Sequence, residues 1–428
     1  MQRPLGTFEQ FLLASDKFAP LVMVGVLQLR QAPTPDIVQR AFLHLQQTHL
    51  LLRVSIQRSE GTPHFVEISD PLPVPVEVLP RVDETQWQQI AETQLNHAMD
   101  SQAPLLRCTY LYQAEGLSEL IISLHHTIID GGAGIYLFDE LLETCTKQLS
   151  GESIQATNGH GFAPAAETLF PAMYQGASRW GQTASFAWQQ LKGEMGYRRY
   201  SRNRQKPVDQ SETRCRILTG RLSQPVTKAL IRRSRRERLP LNSLLKAAMM
   251  QAVAKHCHPD QNLPLRGMVF ADLRPYLTPT VPKDQLGVYL SMLQVTASVD
   301  PMTSAWALAE TIQQQIYQAT KRGDKFTAVR LSNQMIKAAI RLHAFRLGNT
   351  ALSYLGPVQL QSAYGPIQLE KFHGFISNNV IGPEYAAVVH LLFGQLQWNI
   401  MYLNTDMDQA QAQIIMDEIE TILVEASA

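Results

Sequence analysis

Cysteine is scarce in this chain. Its four cysteines, Cys108, Cys145, Cys215 and Cys257, are scattered, and none is in Cys-x-x-Cys spacing. That argues against a disulfide framework and for a cytoplasmic protein. A surplus of one charge is missing too. Thirty-eight Lys and Arg stand against thirty-seven Asp and Glu, a formal net charge of +1. This speaks against a nucleic-acid partner but leaves room for local basic patches. No stretch approaches the roughly 18 consecutive apolar residues of a membrane-spanning helix. No apolar signal core follows Met1-Gln2-Arg3-Pro4-Leu5-Gly6. No internal repeat or low-complexity tract is present. His256-Cys257-His258 hints at a metal, but adjacent helical residues face different ways and no second ligand cluster follows, so no metal is expected.

What is there is the composition of a folded protein, 45% apolar and 18% charged. A chain of 428 residues exceeds one comfortable core, so two α/β domains are expected. Their boundaries are placed at 1–175 and 213–428, with a connection over 176–212. The chain is organised around Ser123-Leu124-His125-His126-Thr127-Ile128-Ile129-Asp130-Gly131-Gly132. The apolar run Leu120-Ile121-Ile122 before it reads as a buried strand. From Ala133 to Leu149, apolar residues recur at helical spacing. The glycines suit a corner that needs unusual backbone angles. A neutral imidazole at such a corner can take a proton from a hydroxyl or amine and return it. Spacing alone leaves Asp130 open. It can bond a histidine, pair elsewhere, or simply cap the following helix.

His-His-x-x-x-Asp-Gly directly after an apolar strand resembles the signature of the condensation-domain-like, CoA-dependent acyltransferase superfamily, and in particular its stand-alone polyketide-associated and alcohol acyltransferases. The resemblance continues along the chain. His49-Leu50-Leu51-Leu52-Arg53 is similar to the family's His-Pro-Leu-Leu-Arg, with Leu50 for proline; read by themselves, His49 and Arg53 are structural. Pro104-Leu105-Leu106-Arg107 and the Leu241-Asn242-Ser243-Leu244-Leu245 helix also fit. Asp272-Leu273-Arg274-Pro275 stands where stand-alone members carry Asn-Leu-Arg-Pro, and Leu352-Ser353-Tyr354-Leu355-Gly356 where they carry Ser-Asn-Leu-Gly. The plant subfamily's Asp-Phe-Gly-Trp-Gly is absent.

The resemblance implies two chloramphenicol-acetyltransferase-like domains in a V-shaped pseudo-dimer around a central tunnel, each a mixed sheet with flanking helices. It implies transfer of an acyl group from a thioester, on acyl-CoA or the phosphopantetheine of an acyl carrier protein, to an alcohol or amine. His126 is then the general base, His125 supports the turn, and Asp130 is paired with Arg274, with Gly131 as structural support. No tightly bound cofactor is expected, and the protein is expected to be a monomer. Two rival readings stand beside this one: a non-catalytic binding or scaffold protein, and a peptide-synthetase-type condensation unit.

Several features are read from the residues themselves. Leu21 to Leu29 is a central strand. Thr34-Pro35-Asp36 starts a helix, and Pro71 to Leu79 is an edge strand. Val388 to Phe393 and Trp398 to Leu403 form a hairpin, and Asp408 to Val424 is a closing amphipathic helix. Arg232, Arg233, Arg235, Arg236 and Arg238 crowd one helix end. They form either a solvated face aided by the helix dipole or a contact for the phosphates of CoA or a carrier arm, and the basic stretch Tyr197 to Pro207 is a second candidate. Ser353, Asn378 and Asn379 are candidate oxyanion donors, although Ser377 to Pro383 reads equally well as a plain turn.

Overall fold

The run Val22-Met23-Val24-Gly25-Val26-Leu27 becomes the centre of a sheet because its branched residues, stiff at χ1, suit a strand that is buried almost continuously on both faces. The computed structural model of the chain describes residues 1–152, 154, 161–175, 181–190, 212–258, 264–300, 303–342 and 346–428. The basic stretch Tyr197 to Pro207 lies outside the described residues. The chain forms two compact units.

The first unit comprises Met1–Leu169, Leu277–Tyr289 and Pro357–Ser377. It holds β1 (Gln2–Pro4), α1 (Thr7–Ser15), β2 (Val22–Arg30), α2 (Pro35–Thr48), β3 (Val54–Ser59), β4 (Thr62–Glu67), β5 (Val76–Pro80), α3 (Gln86–Leu95), β6 (Leu106–Tyr112), β7 (Leu117–His125) and α4 (Gly131–Leu149). The second unit adds the helical residues 181–190 (α5), β8 (Cys215–Arg221), α6 (Gln224–Glu237), α7 (Leu241–Cys257), β9 (Pro264–Asp272), β10 (Leu290–Ser298), α8 (Ala305–Arg322), α9 (Asp324–Leu342) and β11 (Thr350–Pro357). The chain then returns to the first unit with β12 (Ala363–Tyr364) and β13 (Ile367–Ile376), and ends in the second with β14 (Tyr385–Leu392), β15 (Gln395–Leu403) and α10 (Gln409–Ser427). The units are therefore not the two contiguous stretches 1–175 and 213–428. Two later segments of chain belong to the first.

The six-stranded sheet of the first unit runs β12-β13-β2-β7-β6-β5, and β1, β4 and β3 form a smaller sheet. β2 and β7 are antiparallel, with Val22 opposite His125 and Gly25 opposite Ile122. β5 lies at the edge, parallel to β6, and is shorter than the Pro71–Leu79 stretch expected. α4 packs on this sheet through Phe138. Phe138 meets Phe372 of β13 at 5.8 Å between ring centroids. A Cβ on Gly25 would lie 2.4 Å from the Phe138 ring, so only glycine lets the helix approach that closely.

In the second unit the order is β10-β9-β11-β14-β15-β8. Its core includes Trp398, Tyr385, Leu245 and Met249, all at most 1% exposed. Lys246 of α7 is buried with them, and its Nζ donates to Thr350 Oγ1 at 2.6 Å. It occupies the space left by Gly267, where a Cβ would lie 2.3 Å from its Cε. Burial holds its amine well below the ordinary lysine range. α8 and α9 are separate helices, broken where Gly323 takes φ +79°. α7 begins at Leu241, with Pro240 as its cap. Among the described residues no helix is long and apolar enough to cross a membrane.

Candidate active site

The site lies in the first unit, where β7 turns into α4. β7 fixes His125 opposite Val22, and the backbone N–H of His126 donates to the Leu21 carbonyl at 3.1 Å. The turn is thus tied to the strand beside it, and both imidazoles are buried, His125 at 4% and His126 at 6% exposure.

Hydrogen bonding assigns each ring a tautomer. His126 Nδ1 lies 2.8 Å from the Ile129 carbonyl oxygen. A carbonyl only accepts, so Nδ1 carries the proton and, in the neutral ring, Nε2 keeps its lone pair. Burial pushes the His126 pKa below the ordinary imidazole value, outweighing the Ile129 carbonyl and the Asp130 carboxylate, which pull it upward. The ring is a neutral base with one defined basic atom.

His125 is arranged the opposite way. Its Nδ1 accepts the Thr127 N–H at 3.2 Å and lies 2.8 Å from Thr127 Oγ1. The proton is therefore on Nε2, which donates to Asp16 Oδ2 at 2.8 Å. Asp16 Oδ1 in turn accepts the Leu21 N–H at 2.8 Å. Both ring nitrogens of His125 are spent on holding the turn.

Asp130 is the N-cap of α4. Its Oδ1 accepts from the Ala133 N–H at 3.0 Å. Its Oδ2 accepts from the Tyr289 N–H at 2.9 Å, and its own N–H donates to the Gly287 carbonyl at 3.1 Å. It is 2% exposed. Both carboxylate oxygens are thus engaged, one on the helix and one on the chain segment 277–289. Gly131 and Gly132 are the first two residues of α4. The helix starts two residues earlier than expected, and the glycines do not serve as a left-handed corner.

The other expected residues lie in the second unit. Arg274 is 3% exposed and pairs with Asp272 at 3.4 Å. Arg235 and Arg236 are exposed near the C-terminal end of α6, where positive charge suits the helix dipole. Arg233 is set apart from them, donating to the Ala426 carbonyl at 3.2 Å and lying over the Trp306 ring. Ser353 sits within β11. Asn378 spends its Nδ2 on the Pro383 carbonyl at 2.9 Å and its Oδ1 on the Asn379 N–H at 2.9 Å. Asn379 Oδ1 accepts from the Ile381 N–H at 3.2 Å. Those two amides lock a turn. His256 and His258 face different carboxylates, Glu418 and Glu384. Among the described residues no group of three or more His, Cys, Asp and Glu could hold a metal ion.

Sequence reasoning missed Asp16, Thr127, the Ile129 carbonyl and the Tyr289 N–H. Asp16 lies 109 residues from His125. Its only signal is its place just before the strand that pairs with β7.

A family model described as the phthiocerol/phthiodiolone dimycocerosyl transferase C-terminus matches residues 211–387. No curated protein sequence matches the chain. The fold is similar to that of polyketide synthase associated protein 5 from Mycobacterium tuberculosis, at TM-score 0.73 and 18% identity over 100% of this chain and 98% of that one. It is similar to the TRI3 trichothecene 15-O-acetyltransferase from Fusarium sporotrichioides, at TM-score 0.78 and 12% identity over 99% and 95%. The first condensation domain of the CDA synthetase aligns at TM-score 0.70 and 14% identity over 100% and 96%.

Proposed function

From the fold of the condensation-domain-like acyltransferases, which this chain has, we propose that the protein transfers an acyl group from a thioester to a hydroxyl or amine, with His126 as general base. One observation carries the reading. The His126 proton is fixed on Nδ1 by the Ile129 carbonyl at 2.8 Å, which leaves Nε2 as the single basic atom of a buried, neutral ring.

The chemistry follows from that atom. Nε2 takes the proton of the acceptor O–H or N–H as the acceptor attacks the thioester carbonyl. The tetrahedral intermediate collapses with cleavage of the C–S bond. Nε2 then returns its proton to the departing thiolate, so the ring ends neutral and the products are an ester or amide and a thiol. No acyl-enzyme forms, because binding both substrates together supplies the approach. The imidazolium that forms in between is stabilised by the Ile129 carbonyl and by the nearby Asp130 carboxylate. The donor is acyl-CoA or an acyl carrier protein, and the exposed arginines of α6 supply positive charge for its phosphates.

The test measures thiol release from acyl-CoA in the presence of a panel of alcohols and amines. Losing a general base costs a factor of about 10²–10⁴ in rate, so His126→Ala should keep the fold and lose transfer by that much. Wild-type turnover in the variant sinks the assignment of the base. In the same assay Arg235→Glu with Arg236→Glu should raise the donor KM more at low salt than at high, because exposed charges are screened. An unchanged KM at low salt removes the arginines from the reading.

A further inference from the structure

His49 is left over from the site. It stands at the C-terminal end of α2, and its Nε2 lies 2.7 Å from Glu140 Oε2 on α4. The two side chains are 18% and 33% exposed. A neutral ring held this way donates Nε2–H to the carboxylate and keeps its lone pair on Nδ1. Nδ1 bonds to no described residue.

His49 also lines a pocket of about 190 Å³, wholly within the first unit. Its lining is polar at His49, Asp284 and Gln285 and apolar at Leu51, Phe162 and Leu286. Among the described residues no lysine or arginine lines it. The wall therefore offers an oriented acceptor, a carboxylate and an apolar face, and no charge that would hold an anion.

We propose that this pocket binds a small organic amine, with its ammonium between His49 Nδ1 and the Asp284 carboxylate and its hydrocarbon part on Leu51 and Phe162. The ammonium donates one hydrogen to Nδ1, and Glu140 keeps the ring in the accepting tautomer from behind. Asp284 supplies the opposite charge. A carboxylate or phosphate ligand would meet like charge, and an alcohol would forgo the charge-assisted bond. The site is separate from His126, so the binding does not depend on the acyl-transfer reading.

The experiment titrates the full-length protein with n-pentylamine, n-pentanol and n-pentanoate and follows the His49 imidazole signals by NMR, assigned by their loss in His49→Gln. Pentylamine should shift them saturably and more tightly than pentanol, and pentanoate should leave them unmoved. Asp284 is exposed, so Asp284→Asn should fold normally and weaken pentylamine about tenfold. His126→Ala should bind pentylamine as the wild type does. No saturable shift with pentylamine overturns the proposal. So does equal binding of pentanol or pentanoate, or an unchanged affinity in Asp284→Asn.

Discussion

Asp16 accepts the Nε2 proton of His125 at 2.8 Å from a position 109 residues earlier in the chain. The same carboxylate accepts the Leu21 N–H through its other oxygen, so one side chain holds the histidine pair and the start of β2 together. Removing it leaves a buried N–H on each, at about 1–3 kcal/mol for an unsatisfied group. Asp16→Ala should therefore lower stability in denaturant unfolding by that order and also slow transfer. Asp16→Asn retains one acceptor where two are needed and should fall between. An Asp16→Ala variant with unchanged stability removes the role.

On the proposed reading, His126 sets the acid limb of the pH–rate profile. Burial lowers its pKa, so the ring stays neutral and basic below the ordinary imidazole value of about 6.5. kcat/KM should fall with decreasing pH only below that value. Stability follows the same sign. The unfolded chain takes up a proton at this ring as pH falls past about 6.5 while the folded chain does not. This contribution is full above the unfolded value and is lost as pH falls through the folded one. A limb at or above the ordinary value contradicts the lowered pKa.

Gly25 and Phe138 make a paired prediction. A Cβ at Gly25 would lie 2.4 Å from the Phe138 ring, and overpacking of this kind costs about 1–3 kcal/mol. Gly25→Ala should destabilise by that amount and displace α4, whose first turn Asp130 caps, so transfer should fall too. Adding Phe138→Leu should recover part of both losses. The two changes adding independently in thermal unfolding would show that the ring is not the obstacle.

Lys246 offers a prediction of opposite sign. Its amine is buried, and burial holds its pKa well below the ordinary lysine range. As pH falls from about 10.4, the unfolded chain gains a proton there before the folded chain does, so the folded state loses stability. Lys246→Met keeps much of the volume and removes this term. The variant should exceed the wild type in stability at pH 7, and the difference should shrink toward pH 10. Equal pH dependence of the two proteins in urea unfolding rejects the account.

Much of this was legible in the residues, for identifiable reasons. β2, β7 and α10 carry long apolar patterns, and the hairpin of β14 and β15 turns at Gly394, which takes φ +77°. β13 was not legible. Its register shifts between Leu369 and Lys371, and that irregularity breaks the alternation by which a strand is recognised. At the site, the histidine pair and Asp130 stand in one motif. Their fastening does not, because Asp16, Gly287 and Tyr289 reach it through strand pairing and a returning segment, which local spacing does not encode.

The late return of the chain has a consequence for biosynthesis. β13 covers one side of β2, and the Tyr289 N–H that meets Asp130 comes 159 residues after it. A nascent chain that has left the ribosome only as far as α4 already carries both histidines. It lacks the segment whose Gly287 carbonyl and Tyr289 N–H engage Asp130, and one edge of its central strand is bare. Such an edge is a template for pairing with other chains. The fastening of Asp130 is thus completed only after Tyr289 has been made, and the edge of β2 stays open until β13 follows.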